Sequence, residues 1–486
     1  MKGIKNFMKH ICIHIRDSFR TRQVKYGGYA ALITLAVIAG LILLNLALGQ
    51  FPLQADLTSS RLFSLSEQTL QLLDTIKTPV KFYGLWRPGE ESQEVMTVID
   101  LYLAKNKNIS LELRDPDRNP GFVVKYDKDK KGIARGSLIV EGEKGSRVIS
   151  PNDMYDYSQS RQGNWSITGV AVEQRITSAL LFAGTGTTPA VYEISGHGEV
   201  PLSAMGFQEI LGRENYELKT VNLLLAPVPS DASALVLNGP KRDLSTDEAV
   251  KLLDYLKNGG RLFVLADYTI QEFYNLNDVL ASYGLQFEYG IVHETDPYYV
   301  AIDPRTEWPD MAEHDITKPL ADKGRTPVVL LEAMALSILE TRRRTVEVTP
   351  LMTSSASAFL RANLEDNSEN KSPGDISGPF IIGAAVKDPS WIQDNESQAR
   401  IVAIGAGTLL PLASQGFDAN RDLFMNSLTW LNDRPENISL RSKSLFLMPM
   451  NLKLAQVIIF GVLFIFAIPM AFFISGLVIW LKRRHL

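Results

Sequence analysis

Residues Leu235 to Asp267, LVLNGPKRDLSTDEAVKLLDYLKNGGRLFVLAD, read as one strand–helix–strand unit. Ala234 to Leu237 is a short buried strand, and Asn238-Gly239-Pro240 turns the chain toward the helix Thr246 to Lys257. Asn258-Gly-Gly260 then ends that helix, because glycine tolerates the left-handed conformation that stops helical hydrogen bonding. Arg261-Leu-Phe-Val-Leu-Ala266 is the clearest buried strand of the chain, and Asp267 stands at its carboxyl end.

Working outward, the same alternation fills residues 187–440. Val191 to Ile194, Tyr216 to Asn222, Phe380 to Val386 and Ile401 to Ile404 carry strand signals, and Arg421 to Leu431 makes a closing helix. Strands alternating with helices predict an α/β domain built on a mainly parallel, doubly wound sheet with helices on both faces. Glu294 to Lys323, rich in Asp, Pro and Trp, is expected to be a long loop lying over a neighbouring surface, and Ser354 to Pro379 a polar, mobile one.

Residues 50–186 form a second α/β unit. Ser66-x-x-Thr69 begins a helix carrying Leu70, Leu73 and Ile76. Val80 to Trp86 is a strand, since β-branched and aromatic residues alternate after Pro79. A helix over Glu91 to Ala104, a strand over Ile109 to Arg114 and a turn over Asp115 to Pro120 follow. Gly136 to Glu141 and Ser146 to Ser150 pair as a hairpin, and Val170 to Phe182 is a further helix before the linker Gly184 to Pro189. This order is that of a thioredoxin-like layer. Trp86-Arg-Pro-Gly-Glu90 stands where a redox enzyme carries Cys-x-x-Cys, so the unit is read as a scaffold without redox chemistry.

Two apolar runs flank these units. Leu454 to Leu481 holds 28 residues without Lys, Arg, Asp or Glu. As a helix it reaches roughly 42 Å, more than the roughly 30 Å hydrocarbon core of a bilayer. Pro469 is expected to kink it by removing a backbone donor. The second run, transmembrane helix 1 at residues 26–49, follows a basic leader at 1–25, and the second span, 454–481, precedes the tail 482–486, which opens Lys482-Arg483-Arg484. Basic flanks on both spans place both termini in the cytoplasm and about 400 intervening residues in the periplasm, with the bacterial inner membrane as anchor. A cleaved signal peptide ending near Ala47-Leu48-Gly49 is the rival for the first run, though leader and run are both long for one.

The net charge of −4 conceals an asymmetry. The two tails hold ten of the 50 Lys and Arg and one of the 54 Asp and Glu, which leaves 40 cationic against 53 acidic side chains, −13, between them. Such a body excludes nucleic acid as a partner and disfavours general adsorption to anionic lipid. The single cysteine, Cys12, lies in the leader, so thiol catalysis and Cys-based zinc sites are excluded from the outer region.

Ligands of open α/β sheets bind beyond the carboxyl ends of the strands. Three stretches are expected there: Ser195-Gly-His197-Gly-Glu199, Asn238-Gly-Pro240 and Ala266-Asp267. Ser195, His197, Glu199, Asn238 and Asp267 are the candidate ligand-binding residues. His197 and Glu199 have the spacing to share a metal or to act as an acid–base pair. Equally, the glycines permit a tight turn in which both side chains hydrogen-bond neighbouring loops. His293 and His314, with Asp296 and Asp303, show no convergent spacing, and no metal or other cofactor is expected. Ser195 and His197 are too close along one loop to form a triad, and no Gly-x-Ser-x-Gly elbow occurs. No phosphate loop of the form Gly-x-x-x-x-Gly-Lys-[Ser/Thr] occurs either, so energy from ATP must come from another subunit.

Asp56-Leu-Thr-Ser-Ser-Arg-Leu-Phe-Ser-Leu-Ser66, Ser195-Gly-His-Gly-Glu199, Leu235 to Asp267, Val348-Thr-Pro-Leu-Met-Thr-Ser354 and Asn426-Ser-Leu-Thr-Trp-Leu431 together resemble the GldG-like family, auxiliary components of gliding-motility-type ABC transport systems. The resemblance implies partnership with a multi-span permease and a cytoplasmic ATPase. It also implies a second domain like the sheet of class I glutamine amidotransferases, whose activity does not carry over because no cysteine is present there. The expected function is a non-enzymatic, membrane-anchored auxiliary subunit that couples permease and ATPase to an extracytoplasmic substrate or envelope partner. An extracytoplasmic ligand receptor and a membrane-tethered hydrolase are the alternatives.

Overall fold

The computed structural model describes residues 29, 32–43, 46, 64–127, 130, 132–159, 165–268, 272–320, 327–363, 365, 366, 368–389, 398–433, 443, 444 and 461–484. The leader, Cys12, Lys323 and the motif start at Asp56 lie outside these residues. The chain divides into two compact units, Met1–Thr58 and Ser59–Leu486. In the first, residues 32–43 form a short apolar helix.

The second unit begins with Glu67–Thr75, a helix capped by Ser66, whose hydroxyl accepts from the Thr69 N–H. Strands β1 (Val80–Gly84), β2 (Ile109–Leu113), β3 (Leu138–Glu141) and β4 (Ser146–Ile149) make a sheet in the order β2-β1-β3-β4. β1 and β2 are parallel, and β3 and β4 form the antiparallel hairpin the sequence predicts. Helices Gln93–Lys105 and Val172–Thr185 pack Val95, Ile99, Tyr102, Ile176 and Leu180 against Phe82, Leu138 and Val140 on one face. Tyr83, Leu85 and Ile139 on the other face meet Tyr126 of the helix Pro120–Tyr126. A turn is expected at Pro120. Instead that proline opens a helix, the position where its missing N–H has no helical partner to lose. A hairpin of β5 (Tyr155–Gln159) and β6 (Trp165–Val170) follows, its short Tyr155/Tyr157 and Trp165/Ile167 alternation unread in the sequence.

The larger sheet has ten strands. β7 (Ala190–Ile194), β8 (Glu217–Val221), β9 (Ala232–Asn238), β10 (Arg261–Leu265) and β21 (Gln398–Ile404) are mutually parallel in the order β8-β7-β9-β10-β21. β20 (Ile381–Pro389) then runs antiparallel to β21, and β17 (Glu347–Thr353) antiparallel to β20. β11 (Leu285–Phe287), β14 (Asp310–Met311) and β16 (Leu336–Ile338) complete it, all in antiparallel pairs. The sheet is therefore mixed: half of it is not parallel, because its far edge is built from meandering segments without crossover helices. Alternation along β10 sets the layers. Leu262 and Val264 face the helices Thr246–Lys257 and Tyr274–Ala281, while Phe263 and Leu265 face Phe207–Arg213, Leu409–Ser414 and Asp418–Leu431. All four side chains are fully buried, each worth about 2–3 kcal/mol in water-to-core transfer.

Two expected loops are folded. Within 294–320, β13 (Thr306–Glu307) pairs with β15 (Leu330–Leu331), and Ile316 is buried with its carbonyl accepting from Asn426 Nδ2 at 3.0 Å. Within 354–379, β18 (Phe359–Arg361) pairs with both β12 (Ile291–His293) and β19 (Ile376–Ser377). Arg361, 1% exposed, binds both oxygens of Asp375 and the carbonyls of Asp366, Ser368 and Asn370. A polar stretch thus folds by wrapping one guanidinium, a contact that hydropathy does not register.

The two sheets meet at a polar seam. Asn215, in the left-handed region at φ 59°, donates to the Ser178 carbonyl at 2.7 Å and accepts from Arg147 Nε at 2.9 Å. Arg175 pairs with Glu214, and Arg213 with Asp153 at 2.8 Å.

Val462–Lys482 is the one helix among the described residues long and apolar enough to cross a membrane, with a mean hydropathy of 2.7 and no residue of that stretch buried. Its start, Val462–Ala467, is π-helical before the α-helix Ile468–Arg484. The wider turn precedes Pro469, whose ring would otherwise meet the carbonyl of residue 465, so the helix absorbs the proline by a register change.

Candidate functional site

β7 sits between β8 and β9, and the chain leaves it first toward one side and then toward the other. The sheet's topological switch point is therefore at the carboxyl ends of β7 and β9, where α/β sheets place ligands. The Ser195–Glu199 turn and Asn238–Pro240 arrive there, and Asp267 follows on β10.

The three stretches are stitched together. Lys241 N donates to the His197 carbonyl at 2.8 Å, Arg242 Nη2 to the Gly196 carbonyl at 2.9 Å, and Asn238 Nδ2 to the Val200 carbonyl at 2.9 Å. Lys241 also pairs with Asp267. A Cβ on Gly407 would lie 2.6 Å from Asp267 Cβ, so only glycine lets that loop approach so closely. Ser195 donates its hydroxyl to the Val221 carbonyl at 3.3 Å rather than to the histidine.

His197 is 3% exposed and clamped between two carboxylates. Its Nδ1 lies 2.8 Å from Glu199 and its Nε2 3.1 Å from Glu248. Two ionised carboxylates can only accept, so the clamp favours the imidazolium, with a proton on each ring nitrogen. Burial pushes its pKa down, but the hydrogen bonds it donates to Glu199 and Glu248 outweigh that and raise it. For Glu199 and Glu248 burial works upward and the histidine and backbone donors downward, with both held below the usual carboxylate range. Of the two sequence readings, the hydrogen-bonded turn describes the geometry, and its second partner is Glu248. This residue went unread although Ser245-x-x-Glu248 is a capping-box pattern: Glu248 Oε2 accepts from the Ser245 N–H at 2.9 Å while Ser245 caps the helix.

Asn238 Oδ1 is buried and has no hydrogen-bond partner among the described residues. His293, stacked on Phe359, and His314, edge-on to Trp430, stand apart from the site and from each other, each with a pKa lowered by burial. Among the described residues no three His, Cys, Asp or Glu side chains are grouped to hold a metal ion.

Residues 188–431, the ten-stranded sheet and its helices, match the family model described as an ABC-type uncharacterized transport system. The chain belongs to this family of auxiliary components of ABC-type transport systems. No curated protein sequence matches it. Among solved structures it is similar to the mmIFT52 N-terminal domain, with 14% identity, 50% of this chain and 97% of that one covered, and a TM-score of 0.35. A glutamine amidotransferase from Thermotoga maritima (10%, 51% and 99%, TM-score 0.30) and a ThuA-like protein from Parabacteroides merdae (15%, 55% and 94%, TM-score 0.29) are similar as well. Likenesses this weak assign neither an activity nor a ligand to the auxiliary component.

Proposed function

We propose that this auxiliary component is a non-enzymatic, GldG-like subunit that joins a multi-span permease and a separate cytoplasmic ATPase to an extracytoplasmic substrate or envelope partner. The observation that carries the reading is the pairing of the family match over 188–431 with an apolar helix at Val462–Lys482 whose side chains are covered by nothing else among the described residues. In this reading the apolar stretches 26–49 and 454–481 both span the inner membrane, both termini are cytoplasmic, and a thioredoxin-like domain (50–186) and an amidotransferase-like domain (187–440) lie in the periplasm. Ser195, His197, Glu199, Asn238 and Asp267 mark the end of the larger sheet that a ligand or envelope partner contacts. The clamp on His197 supports a rigid contact face there rather than a titrating catalytic group.

Purification in mild detergent tests the assembly: a permease and an ATPase should co-purify in fixed ratio, and repeated recovery of the chain alone would overturn it. Topology is tested by a tag after Leu486, which should resist a membrane-impermeant protease in intact cells.

A further inference from the structure

At the amino ends of the parallel strands, the opposite end of the sheet from His197, lies a groove of about 450 Å³. That volume falls within the roughly 300–1,000 Å³ of small-molecule sites. Its floor is apolar: Leu253, Ala281 and the ring of Tyr283. Its rim is cationic: Lys257, Arg342 and Arg343.

The three cations differ in how they are held. Arg343 is fixed, 2.7 Å from the fully buried Asp388, 5.2 Å above the Tyr283 ring, and donating to the Ser282 carbonyl. Asp388 therefore offsets one of the three charges. Arg342 is exposed and has no acidic partner among the described residues; its guanidinium donates to the Leu339 carbonyl, at 2.8 Å. Its stem rests on Gly284, where a Cβ would meet Arg342 Cδ at 2.7 Å, so the glycine seats this arginine over the groove. Lys257 reaches only Asp254, at 3.9 Å on the exposed rim. Tyr283 is 1% exposed, with its hydroxyl turned inward toward Arg343, and burial, the dominant cause, raises its pKa to about 12.

An apolar floor and two exposed cations, Arg342 without an acidic partner among the described residues and Lys257 only loosely paired, define a complementary ligand: an apolar body with an anionic head. From this we infer that the groove binds a single-chain amphipathic anion, an acyl chain ending in a carboxylate, whose chain lies over Leu253, Ala281 and Tyr283 and whose head meets Arg342 and Lys257. The assignment is local. It holds although the body as a whole is acidic, because a charge at contact distance in a partly desolvated groove outweighs a diffuse field screened by salt.

The test uses the full chain in nanodiscs of zwitterionic phosphatidylcholine, titrated with dansyl-undecanoate as fluorescent probe. Saturable emission is expected, with affinity falling about tenfold in Arg342→Glu combined with Lys257→Glu. Both residues are exposed, so the thermal midpoint should be unchanged. The methyl ester of the probe should bind at least about tenfold more weakly to the unaltered chain, and dodecanoate should displace the acid. Equal affinity for acid and ester, or unaltered affinity in the charge-reversed variant, would overturn the inference. Displacement by dihexanoyl phosphatidylglycerol but not by dodecanoate would also overturn it, in favour of a phospholipid headgroup.

Discussion

His197 and Glu307 are both buried, and both retain a proton beyond the ordinary range, for opposite reasons. At the switch point the proton stays because the charge it creates is matched: the imidazolium sits between Glu199 and Glu248. On β13 it stays because the charge its loss would create is intolerable. Glu307 is 2% exposed, neither carboxylate oxygen has a hydrogen-bond partner among the described residues, and burial together with the nearby Glu294 carboxylate raises its pKa to about 8. Glu294 itself is fully buried yet satisfied, accepting from the N–H groups of Thr295, Asp296 and Ser355 and from the Ser355 hydroxyl. Burial alone thus does not decide a carboxyl group's state; the donors around it do.

The contrast can be broken most forcefully at His197. His197→Ala should cost about 3–5 kcal/mol, since it leaves two buried carboxylates facing each other without their cation. Denaturant unfolding of the detergent-solubilised chain measures it, and a loss under 1 kcal/mol would show that the clamp is not ionic. Glu307→Gln should act in the other direction. The folded chain holds this proton up to about pH 8 while an unfolded glutamate releases it near pH 4.5, so stability is full below 4.5 and falls as pH rises toward 8. The amide, which cannot ionise, should therefore stabilise the fold by about 2–3 kcal/mol at pH 7 and by almost nothing at pH 4. A gain that does not vary with pH would indicate packing instead.

The raised pKa of His197 predicts a smaller slope of the same sign. Its stabilisation is complete below about pH 6.5 and fades as pH climbs through the raised value. His197→Gln, which keeps a hydrogen-bond donor but no charge, should flatten the pH dependence above 6.5. Ser245→Ala is the mildest probe. It removes a helix cap and one donor to Glu248, for about 1 kcal/mol, and should leave the titration of His197 in place, visible by NMR of the ring protons.

The strand–helix–strand unit over Leu235–Asp267 was legible because each of its signals is local: Ser245 and Asn258 bracket the helix at the positions they occupy in the fold. The convergence of Ser195–Glu199, Asn238–Pro240 and Asp267 was legible too, since strand direction dictates where those turns point. The clamp itself was not, because Glu248 lies 51 residues from His197 and only the parallel pairing of β7 with β9 brings them together. β5 and β6 alternate only briefly, Tyr155 and Tyr157 with Asp156 and Ser158, and Trp165 and Ile167 with Ser166 and Thr168, a signal that went unread, and Arg361 folds its segment through carbonyls that every residue possesses. The mixed edge of the large sheet escaped for two reasons: β11, β14 and β16, of two or three residues, are too short to show a period, and the sequence of β20 does not carry its direction.

The seam through Asn215, Arg175 and Glu214 carries a consequence for how the protein comes apart. Burial raises the pKa of Glu214, and its counterion is delivered from the other sheet, so neither sheet can shed its neighbour without stranding a polar group. Calorimetry of the full chain should then record one cooperative endotherm for the two sheets rather than two, and a chain nicked in Gly184–Pro189 should stay associated until both halves melt.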